Sequence, residues 1–205
     1  MHLLVLSVLF CLLGVVIACQ EYLVEGPQSH IYTNFFKLNR FQNNHPDEAL
    51  IGWNAPEIYR LRFLVYGTSD AKLWINRYAD EEELELVLGG ENNTVSYLRN
   101  KTDAFESMKM DTADLLSPDE PTEVILIMTR HIFGRIRINA IIHDNGDRYV
   151  LKTKLSNKGN FDNKAFLISF RTTRNNNVRW LYDCPIENRG IQDYDFRNVE
   201  YPGDD

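Results

Sequence analysis

The sequence has none of the local patterns that usually place a catalytic group. It holds no Gly-x-Ser-x-Gly nucleophile elbow, no His-Glu-x-x-His helix, and no Gly-rich turn leading from a strand into a helix. Cysteine is scarce: Cys11, Cys19 and Cys184 are the full set, too few for a Cys-ligated zinc site. Positive charge is in deficit, with 22 Lys and Arg against 29 Asp and Glu and a net charge of −7. Indiscriminate attachment to a nucleic-acid backbone, which depends on counterion release by Lys and Arg, is therefore not expected. No long segment repeats its apolar residues at helical spacing.

One apolar run stands out, Leu3 to Ala18, interrupted only by small residues. Val16 and Ala18 fit the small-residue pattern before a signal-peptidase cut, so residues 1–18 read as a signal peptide and the mature chain as starting at Cys19. The run is short for a membrane span, and no stable anchor is expected. Because no Lys or Arg precedes it, an uncleaved anchor and a lipoprotein box at Val16 to Cys19 are the alternatives. Secretion leaves Cys19 and Cys184 as the only possible intramolecular disulfide, worth roughly 5 kcal/mol by chain entropy. A free or intermolecular thiol is the alternative. Two sequons, at Asn92 and Asn100, agree with an extracellular protein.

Period-two alternation dominates the middle of the chain. Tyr59, Leu61, Phe63 and Val65 share one strand face, as do Ile136, Ile138 and Ala140. Further strands are expected at 71–76, 84–88, 95–99, 123–129, 148–155, 165–172 and 177–182, making about ten short strands. That pattern predicts an all-β protein, an antiparallel β-sandwich of jelly-roll-like form, spanning residues 19–185 as one domain. Asp111 to Ser117, stopped by Pro118, reads as one helical turn, and Gln42 to Pro56 as an ordered loop. Residues 186–205 form an acidic tail, in which Tyr194 and Tyr201 beside acids are candidates for sulfation. Trp53, Trp74 and Trp180 are expected in or against the core, with a role as ligand platforms the alternative.

Asn145-Gly146 between alternating strands predicts a two-residue type I′ hairpin. That register sets Ile142 opposite Tyr149, Ala140 opposite Leu151 and Ile138 opposite Thr153 on an apolar face. The reverse face pairs Arg137 with Lys154 and Asn139 with Lys152, with Arg135 further along. Like charges directly across a ladder repel and must be screened or compensated, so Arg135, Arg137, Lys152 and Lys154 are the candidate ligand-binding residues, suited to a carboxylate, sulfate or phosphate; a solvated face, or pairing with neighbouring Glu side chains, is the alternative. No metal site is expected. His131 and His143 lie near opposite ends of one strand, roughly 30 Å apart or more, and Asp144 with Asp147 makes at most half a cation site.

The segment Leu84 to Arg99 carries a resemblance. Its aliphatic strand, then Leu88-Gly89-Gly90, Asn93-Thr94, Ser96 and Arg99, resembles the farnesoic acid O-methyltransferase domain family. The likeness extends from about Tyr59 to about Tyr182, through Asp70-Ala71 to Phe170 and Trp180. The family name implies an S-adenosylmethionine-dependent enzyme of juvenile hormone metabolism. The residues themselves supply no cofactor turn, since Gly89-Gly90 joins two strands and opens no helix. The expectation is a secreted extracellular binding module with no cofactor, whose ligand is a glycan, a lipid or a protein surface. The alternatives are the methyltransferase and a structural secreted protein without a small-molecule site.

Overall fold

A computed structural model describes residues 19–26, 31–34, 57–76, 82–100, 108–130, 136–155, 167–173 and 176–182. The expected signal segment, the loop at 42–56, Trp53, His131, Arg135, Cys184 and the tail all lie outside the described residues.

Alternation along each segment produces strands and almost nothing else. They are β1 (Gln20–Glu25), β2 (Ile31–Asn34), β3 (Glu57–Tyr66), β4 (Ala71–Asn76), β5 (Glu82–Gly89), β6 (Val95–Asn100), β7 (Met108–Asp111), β8 (Thr122–Arg130), β9 (Ile136–Asp144), β10 (Asp147–Leu155), β11 (Leu167–Arg171) and β12 (Asn177–Tyr182). Two six-stranded antiparallel sheets result, ordered β1-β12-β3-β8-β9-β10 and β2-β11-β4-β5-β6-β7. They pack face to face as the expected β-sandwich, with β10 against β6 and β7 and β1 against β11.

The core is the set of inward positions from both sheets. Leu61, Phe63, Val65, Val124, Leu126, Ile138, Ala140, Ile142, Leu151, Val178 and Trp180 from the first sheet meet Leu73, Ile75, Leu84, Leu86, Leu88, Leu98, Ile168 and Phe170 from the second. Aromatic rings lock the two layers together. Phe170 stacks on Tyr22 at 4.9 Å between centroids and meets Phe63 edge-on at 5.6 Å, and Trp180 is perpendicular to Phe63 at 5.7 Å. Trp180 is thus buried as expected, whereas Trp74 is only half-buried and lies on the outer face of its sheet.

Three strands escaped the sequence reading: β1, β2 and β7. Asp111 to Ser117 is also not the expected helical turn, because Asp111 ends β7 and the residues after it are tied to a neighbouring turn. Thr112 N–H donates to Thr94 O at 2.8 Å and Asp114 N–H to Asn93 O at 2.8 Å. Asp114 also has φ 55°, outside the right-handed helical region, so the segment is an irregular turn tied to the β5–β6 connection.

Candidate functional site

The residues from Leu88 to Ser96 that carry the family resemblance meet at the turn between β5 and β6, and their work there is architectural. Between β5 and β6 the chain makes one left-handed turn: Gly89, Glu91, Asn92 and Asn93 have φ of 59°, 52°, 65° and 66°. An L-residue in this region costs about 1–2 kcal/mol, so the turn needs outside support. Asn93 supplies it by accepting from Leu116 N–H at 3.0 Å and donating to Leu116 O at 2.9 Å. Gly89 N–H donates to Ser96 Oγ at 3.2 Å, and Ser96 Oγ shares a 2.8 Å hydrogen bond with Thr112 Oγ1. Asp70 N–H donates to Gly89 O at 2.9 Å. A Cβ on Gly89 would collide with Asn93 Oδ1 and come within 2.9 Å of Leu116 Cδ1. The Gly89 amide and carbonyl are both taken, and the glycine's open side is filled by protein.

Arg99, the last residue of that pattern, belongs to a network on the outer face of the second sheet. Its guanidinium and Lys72 Nζ, the latter at 3.4 Å, close on the buried Glu85 carboxylate. Trp74 Nε1 donates to Glu85 Oε1 at 3.0 Å, and the Arg171 guanidinium lies 3.9 Å from the Trp74 ring centroid. Burial pushes the Glu85 carboxyl up, but the Arg99 hydrogen bond and the Lys72 and Arg99 charges outweigh it and hold it below the ordinary range. Its charge is satisfied from within the face.

The outer face of the first sheet has a different character. The Asn145-Gly146 hairpin has the expected register, with Arg137 opposite Lys154 and Lys152 opposite Asn139. Pairing of β3 with β8 and of β8 with β9 extends these positions into rows across four strands. One row reads Ile58, Thr129, Arg137, Lys154; the next reads Arg60, Ile127, Asn139, Lys152; the third reads Arg62, Ile125, Ile141, Val150. Arg60, Arg137, Lys152 and Lys154 therefore cluster at one end of the face, beside an isoleucine stripe. Within β3, β8, β9 and β10, the acid that the described residues place on this face is Glu123, ion-paired with Arg62. Arg60 and Arg62 went unread because they join the cluster only through the pairing of β3 with β8, across more than 60 residues of sequence.

Other expected sites fall as follows. Asn92 is exposed on the left-handed turn, whereas Asn100 is 1% exposed at the end of β6, where a glycan would have no room. Cys19, next to β1, is disulfide-bonded. Asp144 and Asp147 face each other at the hairpin tip, where partial burial first and the charges of Asp147 and Glu120 next push the Asp144 carboxyl up. Among the described residues no group of three or more His, Cys, Asp or Glu could hold a metal ion.

A protein-family model described as farnesoic acid O-methyl transferase matches residues 27–186, which takes in β2 through β12. No curated protein matches the chain.

Proposed function

Taking as premise that the chain belongs to the farnesoic acid O-methyltransferase family, we propose that it is a secreted extracellular binding module that takes an anionic partner on the outer face of its first sheet. The observation that carries this reading is the gathering of Arg60, Arg137, Lys152 and Lys154 at one end of that face. Several guanidinium and ammonium groups on one face offer a carboxylate, sulfate or phosphate more than one charged donor at once. The acidic chain as a whole makes such a patch selective, since it repels anions elsewhere.

Heparin is a suitable first probe. Calorimetry at low salt is expected to show saturable binding that weakens as salt is added, and the pair Arg137→Ala and Lys154→Ala is expected to weaken it roughly three- to tenfold. Affinity unchanged by both substitutions would assign the face to solvent. We further propose that Asn92 carries the glycan and that Cys184 is the disulfide partner of Cys19.

The family description favours a second reading, methyl transfer from S-adenosylmethionine to farnesoic acid. Against it stands the only Gly-Gly turn among the described residues: the Gly89 amide and carbonyl are hydrogen-bonded within the protein. Titration with S-adenosylmethionine is expected to release no binding heat, and incubation with farnesoic acid to yield no methyl ester. Saturable binding together with enzyme-dependent ester would overturn the module reading.

A further inference from the structure

The isoleucine stripe poses a question of its own. Ile125, Ile127 and Ile141 are 3%, 2% and 4% exposed, as closed to water as the core, although they point away from the sandwich interior. They form a separate apolar cluster joined by Val150, and no other described strand contributes to it. An apolar row on the outside of a sheet is stable only when something lies over it.

We propose that the occupant is a segment of this same chain, residues 186–205, laid across the outer face of the first sheet with its carboxylates over Arg60, Arg137 and Lys152. Three observations select it. First, direction: β12 runs antiparallel to β3 with Leu181 opposite Leu64 and Tyr182 opposite Phe63, so it ends heading toward Arg62 and Arg60, the cationic end of the face. Second, reach: twenty residues of extended chain span roughly 65 Å, whereas crossing from β12 to β10 takes only about 20 Å. Third, chemistry: the segment carries Glu187, Asp193, Asp195, Glu200, Asp204 and Asp205 against Arg189 and Arg197. Ile191, Phe196 and Val199 interleave with those acids. An acidic and apolar strip is the complement of a basic and apolar face.

The consequence is competition: the segment and an external anionic partner share the same cations, so the chain regulates its own binding face. That regulatory meaning rests on the binding reading above; the contact itself does not.

Zero-length carbodiimide cross-linking of the full-length protein, mixed from light and heavy isotope-labelled chains, tests the contact. Lys152 or Lys154 is expected to join Asp193, Asp195 or Glu200 within one chain. Cross-links from those lysines only to Asp47 or Glu48, only between light and heavy chains, or none at all, would overturn it. Heparin binding by the variant Asp193→Asn, Asp195→Asn, Glu200→Gln tests the competition, and is expected to be several-fold tighter than wild type. Equal affinity would overturn the competition. If neither protein binds heparin but the cross-link forms, the binding reading fails and the contact stands; if both bind equally and no cross-link forms, the reverse holds.

Discussion

Gly89 and Asn93 show how much of a fold can hang on two small residues. The sequence marks them as turn formers, since Gly89, Gly90, Asn92 and Asn93 tolerate positive φ. It does not show that Glu91 must join them at φ 52°, nor that Asn93 spends both ends of its amide on Leu116, a partner 23 residues away. Such partners are invisible to local reading because only the packed sandwich brings them together. Gly89→Ala combines a left-handed backbone with a blocked Cβ and is expected to cost about 2–4 kcal/mol of unfolding free energy by urea denaturation. Asn93→Ala leaves the Leu116 N–H and C=O without their partners and is expected to cost about 2–3 kcal/mol. Wild-type stability in either variant would show that the left-handed turn needs no such support.

Strand pairing supplies the next level of information, and it explains both what was legible and what was not. Hairpins that close locally were readable: Asn145-Gly146 fixed the β9–β10 register, and with it the face shared by Arg137 and Lys154. β7 alternates strictly, with Lys109 and Asp111 exposed and Met108 and Met110 half-buried, but over only four residues, too short a run to stand out from a loop. The Glu85 network likewise needs β4, β5 and β6 side by side before Trp74, Glu85 and Arg99 fall into one row. Its pH behaviour follows from direction alone. Because the Glu85 carboxyl is held below its ordinary value, it binds protons more readily in the unfolded chain, so its stabilisation is complete above the ordinary carboxylate range. That stabilisation is lost as pH falls through the lowered folded value. Unfolding free energy measured from pH 7 downward should therefore fall more steeply in the wild type than in Glu85→Gln. Parallel curves would remove Glu85 from the acid response.

At the scale of the molecule, the two-sheet architecture was readable because alternation repeats in strand after strand, whereas its border strand β1 was not. Among the described residues β1 pairs with β12 alone and forms one border of the first sheet, with Gln20 opposite Tyr182 as the last rung of their ladder. Cys19 stands one residue beyond that rung and Cys184 two, so a bond between them would staple the amino-terminal strand where the ladder stops. An edge strand held by a single ladder is otherwise the first element to fray. Peptide mapping without reduction is expected to recover Cys19 joined to Cys184. Reduction is expected to lower stability by up to roughly 5 kcal/mol and to speed hydrogen exchange first at the β1 amides from Glu21 to Val24, before the central strands β3 and β8 respond. A Cys19 peptide joined to a second chain would move the bond to an assembly interface. Exchange that accelerates equally in β1 and β8 would show that the staple guards the whole sandwich and has no special hold on its border.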